Sequence, residues 1–121
     1  MPGSRGDRAE VGSRATSEEV RVKLVHVRDH HVPEALREVR RLVDEGEILL
    51  ALDCSDWTYF GSADLGALLA LRKELMPLDG EIVIVSPSER LRRFIEMLGL
   101  GEAFEVFETA DEARVHLERG A

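Results

Sequence analysis

The sequence predicts an α/β domain with helices packed on a central sheet, and three observations carry that reading. Apolar residues pass repeatedly from the two-residue alternation or short apolar runs of strands to the three-and-four spacing of helices. Turn and capping residues punctuate the changes. Strand and helix patterns follow one another in pairs, which implies right-handed crossovers and a sheet covered by helices. At 121 residues and 13.5 kDa the chain suffices for one core and is too short for two.

Met1 to Ser17 carry Gly, Ser, Arg and acidic residues without an apolar period and read as a disordered tail, so the domain is placed at 18–121. Val20, Val22 and Leu24 then alternate with Arg21 and Lys23, and Val25 and Val27 continue in the other phase, the mark of a bulge or a second buried face. Pro33 suits the first turn of a helix whose inward residues are Leu36, Val39, Leu42 and Val43, with Gly46 as its stop. Ile48 to Leu52 is an unbroken apolar run, as expected of a strand covered on both faces. Leu65, Leu68, Leu69, Leu71 and Leu75 leave little polar surface and predict the most buried helix, ended by Pro77 and Asp79-Gly80. Ile82 to Val85 is a β-branched strand. Ser86-Pro87-Ser88-Glu89 reads as a capping box with proline at the first helical position, and Leu91, Phe94, Ile95 and Leu98 as the inward stripe behind it. A short strand at Phe104 to Phe107 and a second capping box, Thr109 to Glu112, precede a last helix carrying Ala113 and Leu117.

Composition narrows the function classes. The net charge of −8 opposes generic nucleic-acid binding and suits a partner with a basic surface. Cys54 is the only cysteine, which excludes an intramolecular disulfide and a cysteine-based zinc site; at the end of an apolar strand it reads as packing. No apolar run approaches the ~20 residues of a membrane span, and the arginine-bearing N-terminus lacks the apolar core of a secretory signal, so a cytoplasmic location without membrane insertion is expected. His26, His30, His31 and His116 form no ligand pattern, and no glycine-rich nucleotide loop or nucleophile elbow is present, so neither a cofactor nor a metal is expected.

The segment with most chemical content is Tyr59-Phe60-Gly61-Ser62-Ala63-Asp64-Leu65-Gly66. An aromatic pair delivers a short polar turn to the start of a leucine-rich helix, where unpaired N–H groups and the positive end of the helix dipole favour a phosphate or an acidic contact. Capping alone also accounts for the two polar side chains, with Ser62 as N-cap and Asp64 as a first-turn acid.

This turn resembles the signature of the STAS domain, the fold of bacterial anti-sigma-factor antagonists, in which an aromatic or apolar pair precedes Asp-Ser-Ser/Thr-Gly-Leu-Gly. Further stretches are similar to that family: Asp29 closing the first long strand, Gly80-Glu81 entering Ile82 to Val85, and Ser86-Pro87-Ser88 through Leu98-Gly99-Leu100 to Phe104 and Phe107. The resemblance spans Val20 to Leu117. It implies a mixed central sheet of about four to five strands with about four helices, no enzymatic activity, and regulation of transcription by binding an anti-sigma factor or serine kinase of the histidine-kinase-like ATPase fold. Trp57, Thr58, Tyr59, Gly61, Ser62, Ala63, Asp64 and Gly66 would form the partner interface, with Asp29, Arg90 and Arg93 as a secondary contact. Trp57, Tyr59 and Phe60 are the exposed apolar candidates for that interface; Tyr59 and Phe60 could instead pack beneath the helix, and for Phe60 packing is the preferred reading.

The departures from the family concern regulation. The phosphoacceptor position is Ala63, which has no hydroxyl; Gly61 replaces the preceding aspartate, and Asp64 the following glycine. In the family the phosphoryl group adds charge at this helix N-terminus and releases the kinase. Here Ser62 could serve as a shifted acceptor, Asp64 could leave the domain permanently bound or permanently released, or the surface could serve another partner, as in a scaffold subunit of a stress-sensing assembly or lipid-transport complex. A receiver domain is a weaker match: Asp29, Asp53 and Ser86 echo its carboxylates and hydroxyl, but Arg28-Asp29 stands where an acidic pair is required and no lysine lies near Phe107.

Overall fold

The computed structural model describes residues 21–120. The tail predicted at Met1 to Ser17 and the strand residue Val20 lie outside the described residues. Four strands, β1 (Val22–Arg28), β2 (Leu49–Asp56), β3 (Glu81–Val85) and β4 (Val106–Phe107), alternate with four helices, α1 (Val32–Asp44), α2 (Ser62–Leu75), α3 (Glu89–Met97) and α4 (Ala110–Gly120). The strands lie in the order β1-β2-β3-β4. Where the resemblance implied a mixed sheet, all three pairings among the described residues are parallel. The slip in phase between Leu24 and Val25 is the second-face alternative and not a bulge: Val22 to His26 pair with β2 in unbroken register, Val22 lies on the α4 side and Val25 and Val27 on the other, and the register shifts only later, between His26 and Arg28.

Because each strand is laid beside the one before it, the crossover helices α1, α2 and α3 fall on one face. Their leucines and valines meet Val25, Val27, Leu50, Leu52, Cys54, Ile82 and Ile84 there. The opposite side of β2 and β3 (Leu49, Ala51, Val83, Val85) is covered by Ala113 and Leu117 of α4. The unbroken apolar run of β2 is thus buried on both faces, as its composition requires. α4 leaves much of the outer side of β1 uncovered, so Val25 and Val27 are buried while Leu24 is 55% exposed. Burial leaves the Cys54 thiol well above its ordinary pKa, consistent with packing rather than reactivity.

Local chemistry sets the ends of the elements. Gly46 stops α1 with a φ of 93°, open to glycine without strain. Gly80 is required for space: a Cβ there would stand 2.7 Å from the Ile48 carbonyl oxygen and 3.1 Å from the Leu75 Cβ. Three expectations are corrected. α3 is capped by Ser88, whose hydroxyl accepts from Leu91 N, so Pro87 precedes the cap instead of occupying the first helical position. Phe104 is buried before the last strand, which is only Val106–Phe107. And α2 is not buried all round: Leu65, Leu68, Leu71 and Leu75 face the core, while Ala63, Gly66, Ala67 and Ala70 lie on an exposed side made of small residues. Residue size, rather than polarity, divides the faces of this helix.

Candidate functional site: a clamped loop and the N-terminus of α2

The loop from β2 to α2, Trp57 to Gly61, lies at the carboxyl ends of the strands and is held from three sides. From β1, the Asp29 carboxylate accepts Thr58 N at 2.8 Å, Tyr59 N at 2.8 Å and the Thr58 hydroxyl. The Thr58 hydroxyl, helped by the two backbone donors and by His30, holds the Asp29 carboxyl below the usual carboxylate range against the opposing effect of partial burial. From α3, the Ser88 hydroxyl donates to the Trp57 carbonyl at 2.7 Å, and Ser88 N donates to Cys54 O at 3.1 Å. From within, the Trp57 indole donates to the Tyr59 carbonyl at 2.9 Å.

This last contact corrects the expectation for Trp57. Its side chain is fully buried and meets Phe60 edge-on, with centroids 6.2 Å apart. Trp57 N bonds to Cys54 O, closing a tight turn at the strand end that carries the indole inward. Trp57 therefore supports the loop from below and is not part of its exposed surface. Phe60 is half-buried against Phe94, with centroids at 4.8 Å, as the packing alternative required. Tyr59 alone of the three is exposed, at 68%.

At the helix start the N-cap is Gly61, not Ser62, which takes the first helical position. Asp64 completes half of a capping box, its carboxylate accepting Gly61 N at 3.2 Å. Ser62 and Ala63 are exposed, and their N–H groups precede the first intrahelical bonds, from Asp64 N and Leu65 N to Gly61 O, so among the described residues they have no backbone acceptor at the positive end of the dipole. Gly66 lies on the same exposed side one turn on.

Arg90 and Arg93, predicted as a secondary contact, come to the same place. With Thr58, Tyr59, Phe60, Glu89, Phe94 and Met97 they line a groove of about 730 Å³ between the loop and α3. The Arg90 guanidinium lies 5.9 Å from the Tyr59 ring centroid. Arg92 turns away to Glu108 at 2.7 Å, although the sequence groups it with its neighbours. Met97, 72% exposed, was missed; its position one helical turn beyond Arg93 was the available signal. A second concavity, of about 650 Å³, lies at the opposite ends of the strands and includes none of the predicted residues. Among the described residues the Asp53 carboxylate bonds only to Ser55, and the Ser86 hydroxyl to the Glu108 carbonyl, so these residues form no receiver-like cluster with Asp29. Among the described residues no three His, Cys, Asp or Glu side chains gather closely enough to hold a metal ion.

The family model of the STAS domain matches residues 18–113. The chain belongs to the STAS domain family. Two solved structures share the fold. The protein TM1081, determined by NMR, superposes with a TM-score of 0.67 at 20% identity, over 79% of this chain and 81% of that one. The Bacillus cell fate determinant SpoIIAA in its phosphorylated form gives a TM-score of 0.57 at 19% identity, over 87% of this chain and 96% of that one. No helix among the described residues of this STAS domain is long and apolar enough to cross a membrane.

Proposed function

We propose that this STAS domain is a non-enzymatic regulatory module that binds an anti-sigma factor or a related serine kinase of the histidine-kinase-like ATPase fold through the surface from Thr58 to Leu68, and does so without the usual phosphorylation switch. The observation that carries the reading is the pairing of a rigidly held helix N-terminus with an exposed Ala63 at the acceptor position. The clamp of Asp29 and Ser88 presents Tyr59, Ser62, Ala63 and Gly66 with little freedom to lose on binding. The small residues of α2 allow a partner's backbone or side chains to approach closely. Asp64 keeps about one negative charge at this point, against −1.5 to −2 for a phosphoryl group, and directs it back to Gly61 N. That charge is too small and too locally engaged to repel a kinase as a phosphate would. The module therefore stays bound, and acts in the cytoplasm on transcription through the factor its partner releases.

Calorimetry against the serine kinases of the histidine-kinase-like ATPase fold from the same genome, with and without ATP, followed by intact mass, tests this reading. Binding that persists in ATP with no added phosphate is the expected result. A phosphate that vanishes in Ser62→Ala would establish a shifted acceptor and overturn the absence of a switch; no binding in either condition would overturn the partner class.

A further inference from the structure

We propose that the groove between the β2–α2 loop and α3 receives an acidic segment with an apolar anchor, contributed by a protein partner. The proposal rests on the reading of the Thr58–Leu68 surface as a partner contact and gives that contact its chemistry.

The groove is built to bury one large side chain or two. Phe60 and Phe94 form an aromatic floor, and Tyr59 and Met97 stand largely exposed at its edges. Its volume falls within the range that encloses most of a small apolar group. An aromatic and a methionine of this exposure, at the edges of one groove with an apolar floor, have the composition of an interface centre.

The charge around it selects the occupant. The whole chain carries −8, yet this rim holds Arg90 and Arg93 against the single acid Glu89. Several arginines elsewhere are satisfied, Arg40 by Asp44 and Glu74 at 2.7 and 2.8 Å, Arg41 by Glu38 and Glu45 at 2.6 and 2.7 Å and Arg92 by Glu108 at 2.7 Å. Arg28, Arg37, Arg72 and Arg119 have no carboxylate partner among the described residues; Arg90 and Arg93 differ from them in lining one groove together, beside exposed Tyr59 and Met97. Arg90 has no carboxylate partner among the described residues and rests over Tyr59. Among the described residues Arg93 has only Glu89 on its own helix, at 3.3 Å with both side chains largely exposed, a pair a competing carboxylate displaces at little cost. A local positive rim on an acidic chain repels other acidic surfaces everywhere but here, so it fixes the register of an acidic segment as well as attracting it. Nucleic acid, which would meet the remaining negative surface, is disfavoured.

The test uses the intact chain and a fluorescein-labelled synthetic peptide with glutamates flanking a Leu-Phe pair, compared with the same peptide carrying lysines. Anisotropy should rise with the acidic peptide only, and its affinity should fall with added salt. In amide NMR spectra the shifts should fall on Tyr59, Arg90, Arg93 and Met97. Combined Arg90→Glu and Arg93→Glu should weaken binding by about tenfold or more. Arg90→Gln, which leaves an uncharged side chain on an exposed helix position, should weaken it by a few-fold and reduce the salt dependence. Equal binding of the lysine peptide, shifts elsewhere or absent, unchanged affinity in the reversed variant, or binding to anionic vesicles in place of the peptide would each overturn the proposal. No kinase is present in these measurements, so their failure is distinct from failure of the proposed partner class.

Discussion

Replacing Trp57 by phenylalanine separates a supporting role from a contact role, because the structure assigns the indole to the interior. The side chain has no exposed surface, and full truncation of such a group costs about 3–5 kcal/mol. Phenylalanine keeps roughly half of that packing, so the void left by the missing ring atoms accounts for about 2 kcal/mol. The lost donor to the Tyr59 carbonyl adds about 1 kcal/mol, at the modest end because Tyr59 is exposed and water can reach its backbone. A total of about 3 kcal/mol lowers the melting temperature of a domain this size by about 15 °C. Thermal unfolding followed by far-ultraviolet circular dichroism measures this. The wild-type chain supplies its own control: Trp57 is the only tryptophan, so its emission should be blue-shifted and resist acrylamide. Emission as red and as readily quenched as free tryptophan, with an unchanged melting temperature in the variant, would refute the argument and return Trp57 to the surface.

Other consequences follow from the same clamp and packing. The depressed Asp29 pKa means that its contribution is fully present above the ordinary carboxyl value of 3.8 and is lost as pH falls through its lower folded value. Protection of the Thr58 and Tyr59 amides, taken relative to their intrinsic exchange rates, should therefore fall in that acid window, whereas Asp29→Asn, which keeps one acceptor oxygen and loses the other, should show lower protection that does not change across it. Gly80→Ala drives a methyl group against the Ile48 carbonyl and should cost about 1–3 kcal/mol in urea unfolding; an unchanged midpoint would contradict the close approach. The triple change Gly61→Asp, Ala63→Ser and Asp64→Gly restores the family signature. Position 61 has open space around its Cβ, so the fold should tolerate the change, and intact mass after incubation with a kinase of this class should show one added phosphate. A folded triple variant that stays unmodified would locate the missing determinants outside the turn.

The fold was legible because hydrophobic period and punctuation agree along the chain. The four helices and four strands follow from the alternation of β1, the apolar runs of β2 and β3, and the Pro, Gly and Ser residues between them. What escaped was set by relations between distant segments. Only the sheet order shows that α4 covers β2 and β3 while leaving much of β1 bare, and this exposes Leu24 despite its apolar character. The half-open face of α2 escaped for a different reason. Alanine and glycine count as apolar in a sequence pattern, but on a helix they line whichever side the leucines do not need.

The site was legible in composition and not in depth. Thr58, Tyr59, Gly61, Ser62, Ala63, Asp64 and Gly66 do gather at one helix N-terminus, and Asp29, Arg90 and Arg93 do approach it. Yet sequence alone places Trp57 beside Tyr59 as an equal, and gives Ser62 the cap that the structure gives to Gly61. Both errors turn on one geometric fact: the chain makes a tight turn at Cys54–Trp57 before the helix begins. That turn sends the indole inward, and the helix that follows starts with Gly61 as its N-cap. Ser62 thereby loses a structural duty and stands exposed, while Asp64 acquires one by bonding to Gly61 N. The consequence for regulation is direct. The hydroxyl available for modification lies one residue before the family's acceptor position, and the carboxylate that resembles a permanent phosphate is committed to holding the helix start. Charge at this turn therefore stabilises the helix start, and under the proposed function a partner would read the exposed surface itself.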